Sequence, residues 1–154
     1  LTATVLELPE AIPTAAEILA REGMGDRVIH RAGNALEDDL GVRTYDAVLI
    51  ENLVHHFDAD QNLRLAQKVA RALRLGGVLM VMDAVRIDSP ADADQPNRRL
   101  GAVLDVYFAL TSTSGTWSVE AVQNWQRAAG LIPLRPIWLQ TMPGAALLSA
   151  VRSN

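Results

Sequence analysis

Residues 45–57 constrain this chain more than any other stretch. Ala47, Val48, Leu49 and Ile50 form an unbroken apolar run, the pattern of a parallel strand covered on both faces. The run gives way to Glu51 and Asn52, where such a strand leaves its sheet, and then to His55, His56 and Phe57. Ligands of open parallel sheets bind outside the carboxyl ends of the strands. This segment is therefore expected to deliver Glu51, Asn52 and His55 to a functional edge.

The flanking sequence repeats the alternation. Residues 2–8 read as a strand ending in Glu7 and stopped by Pro9. Residues 10–22 read as a helix with Ala15, Ile18 and Leu19 on its buried stripe and Gly23 as its C-cap. Residues 27–30 make a short strand, and 35–44 a polar loop. Asp58 with Gln61 three residues later has the form of a capping box, and the helix it opens runs to just before Gly76. Residues 78–82 form another apolar strand with Asp83 at its exit. Residues 87–97 are rich in Asp, Pro and Ala and are expected to be flexible. A helix over 98–111 follows, then one capped by Ser118 and running to about Ala129. Residues 131–139 make an edge strand interrupted by Pro133 and Pro136, and 145–151 a last strand pairing antiparallel with it. The expected fold is α/β, a doubly wound and mostly parallel sheet with a closing antiparallel hairpin, in one domain over 1–154.

Half of the 154 residues are hydrophobic, enough for a core. A net charge of −4 argues against a nucleic-acid partner. With no cysteine there is no disulfide or thiolate chemistry. No apolar run reaches the roughly 18 residues of a membrane span, and no signal peptide is apparent. The chain does not begin with Met and its first residues are already strand-like, which reads as a piece of a longer protein.

Three carboxyl ends carry the chemistry. Glu7 could accept hydrogen bonds from a ribose diol, because a carboxylate offers two acceptor oxygens; the alternative is a solvated acid. His55 could act as a general base oriented by Asp83 from the neighbouring strand; the alternative is a histidine that caps or packs the loop. Adjacent histidines point apart and have no third ligand at a sensible spacing, so no metal site is expected. Gly23-Met24-Gly25 and Gly76-Gly77 read as turns, and no phosphate-cradling loop or nucleophile elbow is visible.

Taken in order, residues 5–9 (Val-Leu-Glu-Leu-Pro), 32–35 (Ala-Gly-Asn-Ala), 45–58 and 73–77 (Leu-Arg-Leu-Gly-Gly) resemble class I S-adenosylmethionine-dependent methyltransferases. The similarity is closest to the small-molecule O-methyltransferases of the plant caffeate and bacterial polyketide-tailoring types, and it covers nearly the whole chain. The resemblance implies S-adenosylmethionine as cofactor, bound by Glu7, Leu8, Asn34, Ala35, Glu51 and Asn52. It implies His55 as general base, Asp83 as its orienting acid, and Phe108 and Thr111 in the acceptor pocket. The acceptor would be a small aromatic or polyketide-like hydroxyl compound. The protein would be cytoplasmic and its parent a homodimer.

This chain departs from the family in two ways. The family's opening strand, glycine-rich loop and helical dimerisation domain would lie upstream of Leu1, so the chain alone is expected to bind cofactor poorly, to be inactive, and to expose two strand edges. The family's further acid before the late helix is also missing, Glu120 being the nearest. Two other readings stay open: an NAD-dependent Rossmann oxidoreductase using Glu7, and a non-catalytic methyltransferase-like scaffold.

Overall fold

The computed structural model describes residues 1–88 and 96–153, with no side-chain description for 96–98. The expectation of flexibility over 87–97 therefore falls mostly outside the described residues. The chain forms two compact units, Leu1–Asp39 and Leu40–Asn154.

In the first unit, β1 (Ala3–Glu7) leads through a 3-10 turn at Pro9–Ala11 into α1 (Ile12–Arg21). Pro13 lies in the first turn of α1, where its missing N–H costs nothing. After Gly23, whose φ of 63° reverses the chain, β2 (Val28–Ala32) pairs parallel with β1, from Ala3 opposite Val28 to Glu7 opposite Ala32. The stripe expected on α1 is only partly buried. Ala15 and Leu19 are half-buried but Ile18 is 46% exposed, because a two-stranded sheet offers too little surface to cover the helix.

The second unit contains β3 (Tyr45–Glu51), α2 (Ala59–Ala72), β4 (Leu73–Ala84), α3 (Pro96–Thr111), α4 (Val119–Ala128), β5 (Leu131–Pro133), β6 (Ile137–Trp138) and β7 (Ala145–Arg152). Its sheet has the order β3-β4-β7-β5, with β6 also pairing β7. Only β3–β4 is parallel; β7 runs antiparallel to β4, β5 and β6. The closing hairpin forms as expected, and the prolines sit on its edge segments. The mostly parallel sheet does not: β7 enters the sheet between β4 and β5, so antiparallel pairings dominate this unit and the architecture is a mixed α/β sheet.

One sheet face carries Ile50, Leu79, Val81 and Leu148, all buried, with α2 and α4 supplying Leu65, Val69 and Val122. The other face of β3 is open within this unit. Ala47 and Glu51 are exposed and Leu49 is 52% exposed, so the both-sides burial read from the apolar run does not hold here. The reason is coverage: α2 and α4 pack on the face that carries Ile50 and leave Leu49 on the other.

Local signals fix the helix ends. Asp58 Oδ1 accepts from Gln61 N at 2.8 Å while Gln61 Oε1 accepts from Asp58 N at 2.9 Å, the reciprocal box the spacing predicts. Asp58→Ala should cost about 1 kcal/mol of stability, read by urea unfolding. At the other end α2 passes directly into β4 with no glycine cap. Instead the Arg152 guanidinium donates to Ala70 O at 2.7 Å and Arg71 O at 3.0 Å, satisfying carbonyls the helix leaves open.

Candidate active site

β3 and β4 run parallel with Glu51 opposite Met82, so their carboxyl ends reach the same edge. Asp83 follows one residue on, on the buried face that Leu79 and Val81 occupy. From β3 the chain turns sharply. Asn52 adopts φ 49°, a left-handed conformation Asn tolerates, and its N–H donates to Met82 O at 2.9 Å. A 3-10 turn, Val54–His56, then folds back over β4.

This geometry puts His55 against Asp83. The His55 Nδ1 lies 2.8 Å from Asp83 Oδ1, and both side chains are almost fully buried. The carboxylate also accepts Val54 N at 3.1 Å and Ala84 N at 2.7 Å. A carboxylate can only accept, so it holds the proton on Nδ1 and leaves the lone pair of the neutral ring on Nε2. Nε2 has no side-chain or backbone partner among the described residues. Phe108 of α3 stacks on the imidazole, centroids 3.7 Å apart and planes 23° from parallel, which fixes the ring's tilt. A buried, oriented imidazole with a free lone pair is suited to accept a proton.

The turn itself is tied down by residues the sequence did not single out for this purpose. Asn62 Nδ2 donates to Val54 O at 2.9 Å and to Phe57 O at 3.1 Å. Trp117 Nε1 donates to Val54 O at 3.1 Å, and Ser112 Oγ to His55 O at 3.0 Å. Asn62, five residues from Phe57 on an adjoining helix, had a weak local signal: a polar residue on the helix's apolar side. Ser112 and Trp117 had none. Of the predicted pocket residues, Phe108 meets His55, whereas Thr111 is exposed and its hydroxyl donates back to Tyr107 O at 2.8 Å. Glu51 and Asn52 stand exposed at the strand end. Glu120 is exposed in the first turn of α4.

In the first unit, Glu7 ends β1 half-buried, with its backbone carbonyl accepting Gly33 N at 2.8 Å and its carboxylate without a partner among the described residues. Leu8 is 48% exposed beside it. Asn34 opens the turn after β2: its N–H donates to Asp38 Oδ2 at 2.6 Å and its side-chain oxygen accepts Leu36 N at 2.9 Å. Ala35 is half-buried in the same turn.

His56 differs from His55. Partial burial of its ring, then the neighbouring His55, lower its proton affinity, and Asp83 opposes them only in part. The folded protein thus binds this proton more weakly than the unfolded chain does. Stability contributed by neutral His56 is present above the ordinary value of 6.5 and is lost as pH falls through the lower folded value. His56→Gln should flatten the fall in stability on acidification below about pH 6.5, measured by urea unfolding at several pH values.

The profile of the O-methyltransferase domain matches residues 1–129. The 3-hydroxy-5-methyl-1-naphthoate 3-O-methyltransferase of Streptomyces sahachiroi is 27% identical over 149 residues, covering 94% of this chain and 40% of that protein. The L-tyrosine C(3)-methyltransferase of Streptomyces lavendulae is 28% identical over 114 residues, covering 73% of this chain and 29% of that protein. The chain thus spans well under half the length of these curated relatives. The crystal structure of an O-methyltransferase family 2 protein from Planctomyces limnophilus, in complex with apigenin, matches with a TM-score of 0.83 at 24% identity, over 98% of this chain and 42% of that one. A likeness at that identity speaks for fold: α/β, Rossmann-like, with mixed strand directions. The sequence match over most of the chain goes further, and the chain belongs to the O-methyltransferase domain family.

Proposed function

We propose that this chain is part of the catalytic domain of an S-adenosylmethionine-dependent O-methyltransferase that methylates a hydroxyl group of a small aromatic or polyketide-like molecule. The observation that carries the reading is the buried His55–Asp83 pair at 2.8 Å, with Nε2 left as a proton acceptor. In this reading both units belong to one domain of a longer, dimeric, cytoplasmic protein. That protein supplies the family's opening strand and glycine-rich loop and completes a doubly wound, mostly parallel sheet. The unpaired outer edge of β3 and the greater length of the relatives support this.

The residues present suit the cofactor. The carboxylate of Glu7, without a partner among the described residues, offers two acceptor oxygens to a ribose diol. The side-chain oxygen of Asn34 keeps one lone pair beyond its bond to Leu36 N, enough for the exocyclic amine of adenine. Leu8 and Ala35 offer apolar contact to the base, and Glu51 and Asn52 polar contact to an amino acid moiety. When bound, S-adenosylmethionine supplies an electrophilic methyl group on a sulfonium. His55 Nε2 would take the acceptor's hydroxyl proton, Asp83 would stabilise the imidazolium that forms, and the oxygen would be left as the nucleophile for that methyl group. Phe108 keeps the ring in place, and with Thr111 belongs to the acceptor side.

The test is a calorimetric titration of the full-length protein with S-adenosylmethionine and, separately, NAD, followed by turnover on a panel of phenols. Binding of S-adenosylmethionine and an O-methylated product are expected. Binding of NAD alone would replace the reading with an oxidoreductase, and binding of neither with a scaffold. Product analysis must locate the methyl group, because one relative is a C-methyltransferase. Deprotonating a phenol also places negative charge on its ortho carbon.

A further inference from the structure

Asn62 and Gln126 are polar residues where the core is otherwise apolar, at 2% and 1% exposure. Each amide is turned one way by its nitrogen. Asn62 Nδ2 donates to Val54 O and Phe57 O, and Gln126 Nε2 donates to Leu148 O at 2.9 Å. Flipping either amide would set its oxygen against carbonyl oxygens, so the orientations are chemically fixed. The oxygens, Asn62 Oδ1 and Gln126 Oε1, are then left buried with no partner among the described residues. Both residues line one small cavity of about 10 Å³ between the sheet and helices α2 and α4, walled otherwise by apolar side chains such as Ile50, Leu79, Val81 and Val122.

A buried amide oxygen without a donor is costly, and native structures rarely keep one. A cavity of this size holds about one water molecule, and water has two O–H donors. We propose that one internal water occupies this cavity, donating to Asn62 Oδ1 and Gln126 Oε1, and that Asn62, held in this way, is a positioning residue for the His55 turn. Asn62 grips the turn on both sides of the histidines, through Val54 O before them and Phe57 O after them. The water ties that grip to α4, and through Gln126 to β7. His55 is thereby kept where its Nδ1 meets Asp83. The catalytic part of this inference rests on the reading of His55 as a base; the water and the positioning do not.

Three measurements test it. A high-resolution crystal structure should show one water within hydrogen-bond reach of both amide oxygens, and an empty cavity overturns the water. Nitrogen NMR of the imidazoles should show His55 in the wild type with a protonated Nδ1 and a bare Nε2. In Asn62→Ala that pattern should shift toward a mixture of tautomers, and in Gln126→Met it should shift less, in the same direction. Variants that melt earlier but leave the His55 pattern unchanged would mean that Asn62 is merely structural and overturn the positioning role. If Asn62→Ala does not fold, Gln126→Met alone decides, because it keeps both Asn62 donors and cuts the water's link at its far end, together with the Gln126 bond to Leu148 O. In the full-length protein, Asn62→Ala should lower kcat about tenfold with little change in KM. A shifted His55 pattern with unchanged kcat would uphold the positioning and instead remove the base role of His55.

Discussion

Replacing His55 with Ala in the full-length protein should lower kcat for methyl transfer to a hydroxyl by roughly 100- to 10,000-fold, the usual range for removing a general base. The side chain is almost wholly buried, its Nδ1 proton is committed to Asp83, and Phe108 lies flat on its ring. Such a ring has little freedom to do anything except present Nε2. The loss should be largest for acceptors of high pKa and smaller for acidic phenols, which arrive partly ionised. Binding of S-adenosylmethionine should change little, which separates this result from general unfolding. Turnover within a few-fold of wild type on a high-pKa acceptor would mean that proximity and orientation suffice, and the base role would be withdrawn.

The second large effect is on stability. Asp83 accepts three hydrogen bonds, from Val54 N, Ala84 N and His55 Nδ1. Asp83→Ala leaves all three donors buried without their acceptor. Each orphaned group costs about 1–3 kcal/mol, so a loss of roughly 3–9 kcal/mol is expected, against a total stability for domains of about 5–15 kcal/mol. Asp83→Asn should cost less, since its side-chain oxygen still accepts while its nitrogen meets a donor. Thermal unfolding reads the size, and hydrogen exchange at the Val54 and Ala84 amides reads its location. A loss below about 1 kcal/mol for Asp83→Ala would show that the three donors find other partners and that the carboxylate does not organise the turn.

These two residues show how far local pattern carries. They lie 28 positions apart, yet both were legible because each follows the carboxyl end of an apolar run. Two parallel strands must bring their carboxyl ends to one edge. The cap on α2 was legible for a simpler reason: Asp58 and Gln61 satisfy one another over a single helical turn. Ser118 is similar, its Oγ accepting Ala121 N at 3.2 Å. The sheet's mixed direction was harder to read. The final hairpin was visible in the two successive strand runs at 131–139 and 145–151, but nothing local says that β7 inserts beside β4 instead of remaining at the outer edge.

Burial was misread where it depends on neighbours. The apolar run of β3 predicts two covered faces, but within its unit α2 and α4 cover only the Ile50 face and Leu49 is left half in solvent. Ile18 is exposed on the same grounds. What the sequence alone determined is what acts over one or two turns or alternates along a strand: helix caps, strand runs, the hairpin, and which acids and histidines close the strands. Tertiary structure alone decided which side chain meets which backbone carbonyl across the fold. Ser112 reaches the His55 carbonyl over 57 residues and Trp117 reaches that of Val54 over 63. Such bonds are set by the packing of α2, α3 and the segment before α4 against one sheet edge. A backbone carbonyl is the same group at every position, so no sequence pattern marks which one will be claimed.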